Sequence, residues 1–211
     1  MSQPDTRPLK VGLMLPTLED WMADRTARWS DLMTMAQQAE AVGFDSLWLP
    51  DHLLYEFGEA GEPPHGLWEA WARLAALAAV TTRVELGPLV ACTSFRNPTL
   101  LAKTADTIDE ISGGRLILGL GAGYHEREFR GFSYPFDHLV GRFEEALQIV
   151  HTLLREGAID FHGRYYDAQA CEFHPRGPGA AVPRSWSERW RMPPACSGSP
   201  PCMPITGTPG A

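Results

Sequence analysis

The chain has 211 residues, 44% hydrophobic and 21% charged, with 7 Trp, 9 Phe and 5 Tyr, which supports one well-buried core and excludes a wholly disordered protein. No apolar run approaches the roughly 18 residues of a membrane span, and Met1-Ser2-Gln3-Pro4-Asp5 lacks the basic flank and apolar stretch of a signal peptide, so a cytoplasmic protein with no membrane partner is expected. A formal net charge of -8 argues against nucleic acid as a partner, and Cys92, Cys171, Cys196 and Cys202 have the spacing of neither a zinc site nor a disulfide framework.

Residues 10–16 (KVGLMLP) form a short apolar run, the pattern of a strand covered on both faces. Ser30 then caps a helix in which Leu32, Met35, Ala36, Ala39 and Val42 recur at helical spacing until Gly43 ends it. Ser46-Leu47-Trp48-Leu49 reads as a second buried strand. After a polar loop, Leu67, Trp71, Leu74 and Ala78 mark a second helix, and residues 84–91 (VELGPLVA) a third strand. Asn97-Pro98 combines an N-cap amide with a proline suited to the first helical position, and Leu101, Ala105 and Ile108 face inward until Ser112-Gly113-Gly114. Residues 115–120 (RLILGL) form a fourth strand running into Gly121-Ala122-Gly123. A long helix follows, with Leu139, Phe143, Leu147, Val150 and Leu154 on one stripe and Asp137 as its cap. Residues 161–166, with a central glycine, read as a hairpin; no fifth barrel strand is evident after it.

Strand starts at 10, 46, 84 and 115 are separated by 36, 38 and 31 residues, the repeat of βα units in a parallel sheet. A doubly wound sheet would place a glycine-rich phosphate loop after its first strand, whereas that strand ends in Leu15-Pro16-Thr17. A (β/α)8 TIM barrel instead gathers its active site from loops at the C-terminal ends of many strands. Asp51-His52, Thr93-Ser94 and the segment from Gly121 to His125 occupy such positions. The expected fold is therefore α/β of the TIM barrel class, incomplete here, with about four βα units, a long helix and a hairpin.

Each candidate has two readings. The glycines from Gly119 to Gly123 either bring backbone close to a ligand or make a tight turn. His52 either moves a proton or donates to an electron-rich ring, or forms with Asp51 a pair that caps the next loop. His125, Glu126 and Glu128 are either site residues or the acidic first turn of a helix. Trp48, Trp68 and Trp71 read as packing. His65, His138, His151, His162 and His174 read as surface or loop residues.

Composition changes near residue 176. From there to the end lie 8 of the 18 Pro, no Leu, Phe, Tyr, Asp or Lys, and Glu188 against four Arg. Subtracting that segment's +3 from -8 leaves -11 for residues 1–175. Residues 1–175 are expected to carry the fold, and 176–211 to be an unstructured tail.

The run from Gly43 to His52 (GFDSLWLPDH), the segment Thr93-Ser94-Phe95-Arg96-Asn97-Pro98 with Ala102-Lys103-Thr104, and Ser112-Gly113-Gly114-Arg115-Leu116 leading into Gly119 to Tyr124 with Glu128 together resemble the luciferase-like monooxygenase family. The resemblance covers about residues 10–175. It implies an oxidoreductase of TIM barrel fold that uses reduced FMN or coenzyme F-420, acts on a small organic substrate, in some members with O2, and forms homo-oligomers when full-length. It implies His52 and Glu128 as catalytic residues, and Asp51, His52, Thr93, Ser94, Gly121, Ala122, Gly123, Tyr124 and His125 as cofactor-binding residues, with no metal. The Asp-His ending of the second strand resembles the deazaflavin branch. A half-barrel that works only by pairing with another subunit is the alternative. Members of the family continue with further strands and helices, and a shifted register of residues 183–211 permits a strand, a helix and an Asp-Tyr-Trp-Asn ending, so a frameshift between about residues 174 and 183 is expected.

Overall fold

The computed structural model describes residues 9–22, 25–56 and 63–177. The chain runs through β1 (Gly12–Met14), α1 (Trp29–Val42), β2 (Ser46–Leu49), a small hairpin of β3 (Leu54–Tyr55) and β4 (His65–Gly66), α2 (Ala70–Val80), β5 (Glu85–Pro88) and β6 (Ala91–Cys92). A 3-10 turn (Thr93–Phe95) leads into α3 (Pro98–Ser112), then β7 (Leu120–Gly121), α4 (Glu126–Gly131), α5 (Leu139–Glu156) and the hairpin β8 (Ala158–His162) and β9 (Asp167–Glu172). β1 pairs parallel with β2 and β2 with β5. A parallel bridge from Leu86 to Leu116 and the parallel pair β6–β7 continue the series. Neighbouring strands thus follow chain order, as in a barrel wall.

Side-chain alternation divides this wall into two unequal faces. Leu47, Leu49, Leu86, Leu116 and Leu118 point outward into one core with Leu32 and Ala36 of α1, Leu74 and Leu77 of α2, Leu101 and Ile108 of α3, and Ile149 and Leu153 of α5. Each such leucine contributes about 1.5–3 kcal/mol by leaving water. On the inner face, Met14 lies opposite Trp48 in the register. Met14 is 48% exposed and Trp48 is half-buried. The expectation that residues 10–16 are covered on both faces is therefore corrected. β1 has a strand neighbour on one side only among the described residues, and the helices cover its outer face.

Three ends are tied differently from the sequence expectation. The N-cap of α1 is Arg28, not Ser30, and the Asp31 carboxylate accepts the Arg28 amide at 2.9 Å. The N-cap of α5 is His138, while Asp137 instead accepts from the Arg142 guanidinium. The buried stripe of α5 is Ala146, Ile149, Val150 and Leu153, with Leu147 and Leu154 at its margins. Elsewhere the cap chemistry is as read: the Asn97 carboxamide accepts from Thr99 N at 2.9 Å with Pro98 at the first turn, and Gly113 ends α3 in the left-handed conformation.

Two charged side chains join the helices to the strand starts. The Glu40 carboxylate accepts the amides of Thr82, Arg83 and Val84. The Arg115 guanidinium donates to the carbonyls of Ala78, Thr81, Val84 and Ser112, which satisfies acceptors left open at the end of α2. The fold continues past the compositional break, since Arg176 donates to the Leu154 carbonyl at 2.7 Å. The rest of the expected unstructured tail, from residue 178 on, lies outside the described residues. Among the described residues no helix is long and apolar enough to cross a membrane.

The one-sided core sets an expected contrast. Leu47→Ala, which opens a cavity at a fully buried position, costs about 2–5 kcal/mol, whereas Met14→Ala costs less than about 1 kcal/mol. Urea unfolding of both variants measures the difference, and equal losses would show that the inner face is covered in solution.

Candidate functional site

Because β2, β5, β6 and β7 run parallel, their C-terminal ends share one rim, and the segments that follow them meet there. Asp51 and His52 follow β2, Thr93 and Ser94 follow β6, and Gly121 to His125 lead from β7 into α4. Consecutive residues of an extended segment point in opposite directions, so Asp51 and His52 have different partners.

Asp51 is buried and faces Arg96. Its Oδ2 and Oδ1 accept from the two terminal guanidinium nitrogens at 2.6 and 2.8 Å, and Oδ2 also accepts the Cys92 amide at 2.9 Å. The second Arg96 terminal nitrogen also reaches Glu69 at 2.7 Å. Burial acts to lower the Arg96 guanidinium, but the Asp51 and Glu69 carboxylates outweigh it and hold the group above its ordinary range. Both Asp51 oxygens are thus occupied by protein donors. The side chain joins the end of β2 to β6 and α3 and presents no free oxygen at the rim.

His52 faces Glu128, whose side chain is 1% exposed. Glu128 Oε1 accepts the amides of Leu53 and Leu54 at 2.6 and 3.2 Å, and Oε2 lies 2.8 Å from His52 Nδ1. Burial acts to raise the Glu128 carboxyl, but these hydrogen bonds and the His52 charge prevail, and it falls below its ordinary range. An ionised carboxylate only accepts, so Nδ1 of His52 carries the hydrogen. In the neutral ring, Nε2 is then the atom with the free lone pair. Both Glu128 oxygens thus meet protein groups, Oε1 the two amides and Oε2 the His52 ring.

Three rings stand around His52. Tyr55 lies edge-on at 5.2 Å between centroids, Tyr124 at 5.7 Å and His125 at 6.4 Å. The Tyr124 hydroxyl is pushed up to about 12 by desolvation, by Tyr55 and by the Glu128 charge, so it remains protonated at neutral pH. Thr93 Oγ1 and Ser94 Oγ donate to the carbonyls of Gly121 and Ala122 at 3.3 and 3.4 Å. Gly123 has φ +82°, and a Cβ there would stand 2.5 Å from Cys92 Sγ and 2.7 Å from Phe129 Cζ. Its glycine is required by the close approach of β6 and α4 and by its backbone conformation.

The structure therefore brings His52, Glu128, Tyr124 and His125 together, and places Thr93, Ser94, Gly121, Ala122 and Gly123 in the wall beside them. Tyr55, Glu56 and Arg96 were missed as site neighbours. Arg96 stands within a motif noticed for its Asn-Pro helix start, and no spacing signalled that it would pair with Asp51. Tyr55 sits on a two-residue strand with no periodic signature.

Residues 9–188 match the family model of the luciferase-like monooxygenases; the matched span passes the compositional break at Arg176. The F420-dependent glucose-6-phosphate dehydrogenase of Amycolatopsis mediterranei (strain U-32) is 35% identical over 157 residues, covering 72% of this chain and 46% of that protein. The chain spans about half the length of the curated relatives it matches. The coenzyme F420-dependent tetrahydromethanopterin reductase of Methanopyrus kandleri shares the fold with a TM-score of 0.64 at 21% identity, covering 82% of this chain and 48% of that one. So does the oxygenating constituent of 3,6-diketocamphane monooxygenase of Pseudomonas putida in complex with FMN, with a TM-score of 0.62 at 24% identity, covering 77% and 44%.

The depressed Glu128 carboxyl gives a pH signature. A group whose folded pKa lies below its unfolded value stabilises the fold above the unfolded pKa, and that contribution is lost as pH falls through the folded one. Glu128→Gln is expected to cost about 1–3 kcal/mol near neutral pH, with the gap from the parent chain shrinking as pH falls below 4.5, the ordinary value. Urea unfolding across that range measures it; a gap that does not change with pH would show that Glu128 is not held ionised.

Proposed function

The chain belongs to the luciferase-like monooxygenase family, and we propose that it carries the ring-binding side of a flavin- or deazaflavin-dependent oxidoreductase site for a small organic substrate. The observation that carries this reading is the His52–Glu128 pair on the strand rim, 2.8 Å apart, with Nε2 left as the free imidazole nitrogen. When bound, the ring system supplies oxygen activation if it is reduced FMN, or hydride exchange if it is the deazaflavin.

The donor set fits a flat heteroaromatic ring. His52, Tyr55, Tyr124 and His125 give a cluster of ring edges and faces, which suits stacking and edge contacts. The Thr17 hydroxyl, on the same rim beyond β1, and His125 Nδ1 are buried without a hydrogen-bond partner in the protein, and such groups are normally satisfied. His52, Tyr124 and His125 would hold the ring, with the Gly121 to Gly123 backbone against its edge. Thr93 and Ser94 fix that backbone through its carbonyls, and Asp51 fixes the rim through Arg96. His52 accepts or returns a proton at Nε2, and Glu128 stabilises the imidazolium that forms. The Asp-His strand ending and the F420 dependence of the Amycolatopsis relative favour the deazaflavin over FMN.

Activity of this chain alone is expected to be low. A closed barrel fills its interior with side chains, whereas the inner face at Met14 and Trp48 is open among the described residues. That same face favours a second reading, a half-barrel that binds its ring only after pairing with another subunit.

Fluorescence titration of the purified chain with coenzyme F420 and with FMN tests the first reading. Saturable binding is expected, stronger for F420, and weakened about tenfold or more by His52→Ala, a loss of at least about 1.4 kcal/mol. Absence of saturable binding by either overturns it for the isolated chain. Light scattering on the eluting species separates the second reading: binding confined to a defined dimer supports pairing, and binding by a monomer removes it.

A further inference from the structure

His125 has no proton-transfer part in the reading above, yet its position is chemically specific. Its Nδ1 lies 3.3 Å from Glu128 Oε2, the same oxygen that holds His52, but at an angle that makes no hydrogen bond, which leaves Nδ1 buried and unpartnered. Its Nε2 lies 3.7 Å from Glu56 Oε2, and Glu56 is 30% exposed and paired with Arg127. Two imidazoles thus flank one buried carboxylate, and the second of them reaches a carboxylate in contact with water.

We propose that His125 is the proton outlet of His52, acting through the shared Glu128 carboxylate. This rests on His52 as the group that takes up a proton. When His52 gains a proton at Nε2, its Nδ1–H bond breaks and an O–H bond forms at Glu128 Oε2. That proton then forms an N–H bond at Nδ1 of His125, and the Nε2 proton of His125 leaves to Glu56 or water. One proton enters, one leaves, and no electrons are exchanged; the reverse sequence restores the starting tautomers. Tyr55, Tyr124 and His125 stand around the His52 ring, which is 23% exposed, so exchange through His125 runs beside direct exchange with water. The charged and titratable groups facing His125 are Glu56, Arg127, Glu128, His52, Tyr55 and Tyr124. Tyr55 and Tyr124 lie against both rings, and Glu128 places one carboxylate oxygen 2.8 Å from His52 Nδ1 and 3.3 Å from His125 Nδ1.

The test uses the 211-residue chain labelled with nitrogen-15 histidine and needs no bound cofactor. Long-range proton–nitrogen spectra, assigned with His52→Gln and His125→Gln, follow both rings through a pH titration, with His151 and His162 as controls for folding. His52 is expected as the Nδ1–H tautomer. His52→Gln should raise the His125 midpoint by about half a pH unit or more, because the carboxylate no longer serves a second cation, and Glu128→Gln should lower it. Exchange of the His52 Nδ1 proton with water gives the decisive readout. His125→Gln should slow it severalfold, and Glu56→Gln should slow it to a lesser degree. If His125 only supports the local structure, its removal loosens the site and speeds exchange, which overturns the proposal, as does a His125 midpoint unchanged in both His52→Gln and Glu128→Gln. Failure of F420 and FMN to bind would count against the functional reading and leave this result standing, and the converse holds.

Discussion

A buried negative charge at Glu128 is the constraint around which the rim is arranged. An isolated carboxylate withdrawn from water costs several kcal/mol, and it persists only where donors replace its hydration. Here two backbone amides and one imidazole do so. The amides belong to Leu53 and Leu54, immediately after His52, so the same carboxylate fixes both the path of the chain leaving β2 and the orientation of the ring. Charge-assisted bonds of this kind are stronger than neutral ones, and three converging on one side chain leave few alternative arrangements for the loop. Moving α4 away would strand either the charge or the amides.

A second buried acid anchors the other direction of the same strand end. Asp51 ties β2 to the Cys92 amide and to Arg96 at the start of α3, while Glu128 ties it to α4. The peptide between Asp51 and His52 is therefore held from opposite sides by groups from two later βα units. That division explains how a short strand ending can be rigid enough to carry a reactive imidazole: positioning within fractions of an ångström requires support behind the side chain. It also explains why an Asp-His dipeptide is informative as a pair, since one residue anchors and the other is presented.

Much of the fold was legible because it is written in periodicity. The strand Ser46–Leu49, the Asn97-Pro98 start of α3 and its Gly113 end follow from local chemistry and stand where the sequence puts them. The errors have a common origin in tertiary choice. Asp137 is a good capping residue by type, but Arg142 lies one turn along and takes its carboxylate. Ser30 lies two residues inside α1 because Asp31 caps from the other direction. Of the α5 stripe expected from spacing, Val150 is buried while Leu139, Phe143, Leu147 and Leu154 are half-buried, because the helix turns Ala146, Ile149 and Leu153 toward the core. At the site, strand-end position identified His52 and the glycine turn, but the assignments of Asp51 and Glu128 depend on contacts 45 and 76 residues away in sequence, which no spacing rule encodes.

The two faces of the sheet give the site its chemical character. On the outer face, leucines and isoleucines bind strands to helices and fix where each strand ends, independently of what lies inside the barrel. On the inner face, Gly12, Ser46 and Trp48 form a sparse, partly polar surface; the Trp48 indole donates to the Ser46 hydroxyl at 2.9 Å, and a Cβ at Gly12 would collide with that indole. The rim rests on a second cluster as well as on the outer core, because α4, which carries Glu128, packs through Phe129 against Cys92 and Phe95. Water exclusion is a separate property that depends on the inner face. An imidazole can thus be correctly oriented in a surface still open to solvent, where its charge is screened more strongly than in a closed site, and the precision of the rim and the strength of its electrostatics are set by different halves of the packing.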